Sequence, residues 1–171
     1  SYIDYDFEAD ELCASLVVKG HAYACLSEDT DMFAYGCPRI LKYISLMNHT
    51  VVMYPIGNIL NKLNIKFDDF QKLCILSGTD YNFTKKNIFW FYNLYKKFKS
   101  SDSKIDFMKW LEQKKYISIQ TYFELKDIYG IYNKNPSEII NRISYLTIRN
   151  KKINDNGIRS IMKKENFIFA Y

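Results

Sequence analysis

The sequence predicts an α/β layer over residues 1–80 followed by an all-helical region over residues 81–171. Apolar positions in the first part alternate between helical and strand spacing, and in the second part the helical period persists. Charge divides at the same point. Residues 1–80 carry 11 Asp/Glu against 6 Lys/Arg, a balance of −5, whereas residues 81–171 carry 8 against 18, a balance of +10. An acidic half suited to cations beside a basic half suited to a polyanion points toward a metal-dependent protein acting on nucleic acid. A solvated helical surface would account for the basic half equally well.

The elements follow in order. Ala9, Leu12, Cys13, Leu16 and Val17 recur at helical spacing between Glu8 and Val18, and Gly20 closes that helix. "HAYACL" (His21–Leu26) is an apolar run of strand length, ended by the polar turn that Ser27 opens. "DMFAYG" predicts a brief helix stopped by Gly36. "RILKYISL" and "TVVMYPI" predict two further strands, the second stopped by Pro55. "IGNILNKL" and "FDDFQKLCILSG" predict helices, the latter with Phe67, Phe70, Leu73 and Cys74 on one face and with Asp68 and Asp69 serving its N-terminal dipole. Beyond Asp80 the chain reads as helices broken at "KSSDSK", "YGIYNKNPSE" and "NDNG".

Composition narrows the class. With 171 residues, 48% of them apolar and 25% charged, the chain has ordinary globular composition and about one domain's length. No run approaches the ~20 apolar residues of a membrane span, and "SYIDYDFEAD" lacks the basic and apolar segments of a secretory leader. Cys13, Cys25, Cys37 and Cys74 form neither a CxxC nor a zinc-finger spacing and are expected to be reduced and structural, which suits an intracellular protein. His21 and His49 are expected at strand ends or in loops.

Five carboxylates carry the chemistry: Glu8 and Asp10 in "FEADEL", Asp29 and Asp31 in "SEDTDMF", and Asp80 in "ILSGTDY". Magnesium takes oxygen ligands, and two ions about 3.5–4 Å apart can stabilise the attacking and leaving oxygens of a displaced phosphate. Acids from separate segments, each near the end of a regular element, can hold such a pair, and ligands of open α/β sheets bind beyond the strands' carboxyl ends. Each pair alone is more often a helix cap or a solvated turn; their joint occurrence makes the candidate site. Positions 8 and 10 of an ideal helix stand roughly 200° apart, so both can serve one site if Glu8 occupies a non-helical cap. Glu11 and Glu28 are expected to be structural or supporting neighbours.

"EADELCASLVVKGHAYACLSEDTDMFAYG", followed by "LCILSGTDY", resembles the internal nuclease motif of the flap endonuclease/XPG family of structure-specific 5′ nucleases. That motif opens on acid-Ala-acid, passes a Lys-Gly turn and a strand, and continues with Glu-Asp-x-Asp and Gly-x-Asp-Tyr. Similarity resumes at "NDNGIRSIMKK". The resemblance implies a PIN-like/5′-nuclease parallel sheet with helices, incomplete at its N-terminal side, followed by a helix-two-turn-helix-like region. It divides the chain into an internal nuclease part (1–80) and a basic helical DNA-binding region (81–171). It implies two Mg²⁺ ions, with Mn²⁺ as a substitute: Asp29, Asp31 and Asp80 for one, Glu8 and Asp10 for the other. The implied activity is two-metal hydrolysis of branched or flapped DNA in replication or repair, in the nucleus or at a cytoplasmic, viral-type replication site.

Two departures qualify that inheritance. The family's amino-terminal half, with two more aspartates and further strands, has no counterpart in these residues, so either that half is encoded elsewhere and joins the chain or the chain is a fragment, and these residues alone are expected to have an incomplete metal site and little or no activity. The glycine-bearing helix-two-turn-helix is replaced by "NFTKKNIFWFYNLYKKFKS". The family's motif holds a duplex phosphate and a potassium ion, and without its glycine the potassium site is left open, although Asn87 has the option of a left-handed conformation. Lys85, Lys86, Lys96, Lys97 and Lys99 are the candidate phosphate contacts, while Ile88, Phe91, Tyr92 and Tyr95 are expected in the core. "ENFIFAY" does not match a sliding-clamp hook. The alternatives are a non-catalytic DNA-binding or scaffold module and a PIN-type ribonuclease.

Overall fold

Gly20, at φ +74°, ends the first helix in a Schellman arrangement, in which its own amide bonds Val17 O at 3.1 Å and the His21 amide bonds Leu16 O at 2.9 Å. This helix, α1 (Ala9–Val18), begins just after Glu8, whose backbone is extended at φ −62°, ψ 121°. The computed structural model describes residues 8–141 and 154–164, which fall in two compact units. The first holds α1, β1 (Cys25–Leu26), α2 (Asp31–Ala34), β2 (Arg39–Ser45), β3 (Thr50–Pro55), α3 (Ile56–Leu63), α4 (Phe67–Leu76), α5 (Ile88–Lys99), α6 (Phe107–Gln113), α7 (Ile119–Tyr132) and α8 (Pro136–Asn141). The second contributes α9 (Asp155–Lys164).

The described strands form one sheet in the order β1-β2-β3. Parallel pairing, as expected, joins β1 to β2 (Cys25↔Ile40, Leu26↔Leu41), but β3 returns antiparallel, so the sheet is mixed. The hairpin is bulged between Lys42 and Ser45, where Tyr43 takes φ +56°. The strand expected over His21–Leu26 shrinks to two residues. Among the described strands only β2 lies beside it, and the Tyr23 carbonyl is taken instead by Arg39 Nε at 2.5 Å.

Two apolar clusters share α4. Ala14, Val17, Met32, Cys37, Ile40, Ile56 and Phe70 pack beneath the sheet. Leu73, Ile75 and Leu76 pack instead with Phe91, Leu94, Tyr95 and Phe98 of α5, with Phe107, Met108, Trp110 and Leu111 of α6, and with Leu125, Ile128 and Tyr132 of α7. Side-chain packing thus runs across position 80. Phe91 and Tyr95 are core residues as expected, Ile88 and Tyr92 are half-buried, and Phe89 points outward at 73% exposure. Asn87 is extended (φ −89°, ψ 171°), not left-handed, because its side chain caps α5 by accepting from the Trp90 amide at 3.0 Å. Asp68 and Asp69 do more than complement a dipole: Asp68 pairs with Lys72 at 2.8 Å and accepts from Tyr129, and Asp69 accepts from Tyr95 Oη at 2.7 Å. "NDNG", expected as a break, is the start of α9, with Asn154 Oδ1 accepting from the Gly157 amide at 3.0 Å. "ENFIFAY" lies outside the described residues. Cys13, Cys25, Cys37 and Cys74 are free thiols, and among the described residues no helix is long and apolar enough to cross a membrane.

Candidate metal centre

The acids approach one another from three chain segments. Glu8 sits at the cap of α1 rather than within it, the position that frees both Glu8 and Asp10 from the ideal helical wheel. Asp29 and Asp31 follow β1 directly. Asp29 Oδ1 accepts the Asp31 amide at 2.8 Å, so Asp29 also shapes the turn into α2. Glu28 anchors that turn to the hairpin: its carboxylate accepts the Tyr43 amide at 2.5 Å, and its carbonyl accepts Lys42 Nζ at 2.6 Å. Glu28 is thus structural, as expected. Gly36 closes α2 at φ +73° with the Phe67 ring where a side chain would stand, so both conformation and space demand glycine.

Asp80 enters from a turn locked to the end of α4. Gly78 takes φ +103°, Thr79 bridges Asn82, and Asn82 Nδ2 donates to Ile75 O at 2.9 Å. The turn presents the Asp80 amide to Asp31 Oδ2 at 3.3 Å and the Tyr81 hydroxyl to Glu8 Oε1 at 3.2 Å.

Charge follows the geometry. Burial pushes the Asp10 carboxyl above the usual carboxylate range, and contact with Asp29 and repulsion from Asp31 and Glu8 add to the rise. Asp31, 6% exposed, is also raised by burial and by the charges of Asp29 and Asp80, while hydrogen bonds from Tyr132 and the Asp80 amide oppose the rise. Asp10 and Asp31 therefore each feel other acids of the group, and the donors are all oxygens, the type a hard divalent cation takes. Among the described residues, however, no three of His, Cys, Asp and Glu gather closely enough to hold one ion as they stand.

Sequence reasoning missed the supporting shell. Tyr132, 101 residues after Asp31, donates its hydroxyl to Asp31 Oδ2, and its ring packs against Tyr35 and Tyr81. Glu11, 2% exposed, pairs with Lys134 at 2.7 Å, in the supporting role expected of it. Only the Tyr of "GTDY" offered a signal, through the family motif. Lys85, Lys86, Lys96, Lys97 and Lys99 all stand on the surface, and Lys86, Lys96 and Lys99 lie over the rings of Trp90, Tyr92 and Tyr95.

A family model described as the XPG I-region matches residues 1–80, the stretch that carries all five acids. Flap endonuclease 1 of Methanococcus aeolicus is 30% identical over 167 residues, covering 96% of this chain. Residues 1–80 are thus an XPG I-region. Flap endonuclease 1 of Glycine max is 39% identical over 77 residues, 43% of this chain. The chain spans 46% of the length of the first of these flap endonucleases, and the aligned stretch covers 20% of the second. A solved structure titled flap endonuclease-1 from Methanococcus jannaschii superposes with a TM-score of 0.56 at 24% identity, covering 75% of this chain and 38% of that one, which establishes the shared fold.

Proposed function

We propose that this chain supplies metal-holding acids and part of the DNA-holding surface of a structure-specific 5′ flap endonuclease or exonuclease, acting on branched DNA in replication or repair inside the cell. The observation that carries the reading is the approach of Glu8, Asp10, Asp29, Asp31 and Asp80 from three segments, linked through Tyr81, the Asp80 amide and Asp10–Asp29 contact. All five are oxygen donors fitted to Mg²⁺, or to Mn²⁺ in its place. When bound, two such ions supply an activated water and neutralise the scissile phosphate. The chain's own residues do the rest. Glu8 and Asp10 hold one side of the site and Asp29, Asp31 and Asp80 the other, while Tyr81 orients Glu8. Lys85, Lys86, Lys96, Lys97 and Lys99 hold phosphates without reading bases. Phe83 and Phe89, 88% and 73% exposed, offer ring faces to unpaired bases near a junction. The division at residue 80 is then one of labour, metal before it and DNA after it.

The sheet edge beyond β1 is the place for strands of an amino-terminal nuclease half, the partner this reading requires. The test is Mg²⁺-dependent cutting of 5′-flap DNA by the chain supplemented with such a half. Asp29→Ala and Asp31→Ala should abolish cutting and leave DNA binding nearly intact; unchanged turnover contradicts the assignment. A non-catalytic DNA-binding module is the second reading, favoured by the spacing of the acids, among which no described three encircle one ion. Salt-dependent DNA binding with no cutting, even in the supplemented protein, selects it.

A further inference from the structure

We infer that Tyr132 of α7 is a positioning residue for the candidate metal centre: its hydroxyl fixes the Asp31 carboxylate so that Oδ1 is the oxygen left to ligate a divalent cation. The inference rests on the metal reading above and adds to it a residue from the far, basic part of the chain.

The terminal torsion of an aspartate is broad and roughly two-fold, so a lone carboxylate does not hold one oxygen toward an ion. At Asp31, two donors converge on the same oxygen: Tyr132 Oη and the Asp80 amide both bond Oδ2. A hydroxyl donating to a carboxylate is among the stronger hydrogen bonds, and here it lies in the interior. Tyr132 is itself immobilised. It is 4% exposed, with its ring 4.6 Å from that of Tyr35 and 5.7 Å from that of Tyr81. Its carbonyl accepts Gln71 Nε2 at 3.3 Å, and the same amide donates to Ala34 O at 2.8 Å. Both ends of α2 are therefore tied to one residue, Asp31 by its side chain and Ala34 through Gln71. The tyrosine–aspartate bond Tyr129–Asp68 provides the contrast, since Asp68 and its neighbour Asp106 are both neutralised by Lys72 and neither belongs to the candidate centre.

Partners of this kind orient a metal's ligands, and removing one typically costs about 10–100-fold in metal affinity. The test is Mn²⁺ titration of the full 171-residue chain by electron paramagnetic resonance, for wild type, Tyr132→Phe and Tyr129→Phe. Tyr132→Phe keeps the ring and deletes only the hydroxyl, and it should weaken Mn²⁺ binding at least about 10-fold. Tyr129→Phe should leave binding unchanged. Equal affinity in wild type and Tyr132→Phe overturns the positioning role while leaving the metal reading intact. A wild type that binds no Mn²⁺ overturns both. If Tyr132→Phe does not fold, Tb³⁺ added to wild type supplies the second readout. A tyrosine bonded to a ligand should sensitise its emission, and silence on tyrosine excitation overturns the inference.

Discussion

Replacing Gly36 by Ala should cost about 2–5 kcal/mol of stability, from two separable effects. The first is conformational: at φ +73° an L-residue pays about 1–2 kcal/mol. The second is steric: a Cβ at that position would stand 2.6 Å from Phe67 Cζ, and the ring is part of the packing between α2 and α4. Forcing an extra methyl into such a site costs about 1–3 kcal/mol. Gly20 separates the two, since it has nearly the same φ, +74°, and nothing within 4 Å of the added carbon. Gly20→Ala should therefore lose only the conformational part. The assay is urea denaturation of both variants beside wild type, read as the shift in midpoint at unchanged slope. Equal losses for the two variants refute the steric argument, and no loss in either refutes both. Because Gly36 closes the helix that opens on Asp31, Gly36→Ala should also weaken Mn²⁺ binding, while Gly20→Ala should weaken it less.

Three further outcomes follow from the same geometry. Burial and neighbouring acids raise the Asp10 and Asp31 carboxyls, and stability tied to such groups is present below their unfolded value and lost as pH rises through the raised one. The metal-free chain should accordingly be penalised at neutral pH. Mg²⁺ at 100 times its dissociation constant should add about 2.7 kcal/mol, or roughly 5–11 °C in Tm at 2–4 °C per kcal/mol. That gain should fade at mildly acidic pH, and thermal melts with and without Mg²⁺ at each pH check it. Gln71→Leu should cost about 1–3 kcal/mol by urea denaturation, because the carbonyls of Ala34 and Tyr132 lose their buried donor. Neutralising Lys85, Lys86, Lys96, Lys97 or Lys99 one at a time to Gln should each lower the slope of log binding constant against log salt by up to about 0.9 for duplex DNA, and a flat response assigns that lysine to solvent.

Much of the first eighty residues was legible because local chemistry and tertiary structure agree there. Gly20, Gly36, Pro55 and Gly78 punctuate the chain where backbone geometry requires them, and apolar spacing gave α1, α2, β2, β3, α3 and α4 nearly to the residue. Glu8 at a non-helical cap was foreseeable as the condition under which both early acids face one site, and the structure meets it. The departures come from pairing and packing that no single segment's pattern encodes. The run His21–Leu26 has strand composition, yet a strand is as long as its ladder, and only Cys25 and Leu26 find one. Antiparallel return of β3 is a property of the hairpin and not of either strand's pattern. Tyr132 was illegible because its role depends on α7 folding back over α2 and α4, a contact with no local sequence signature. Asn87 does not take its left-handed option because its side chain caps α5 at the Trp90 amide.

The most direct test is a crystal of the chain soaked in Mn²⁺ and measured for anomalous scattering. The account predicts density bounded by oxygens of Asp10, Asp29 and Asp31, with the Asp31 contact made through Oδ1, and with Glu8 or Asp80 completing the set. Anomalous peaks that lie elsewhere on the molecule, or none at concentrations that saturate known oxygen-ligand sites, would contradict it.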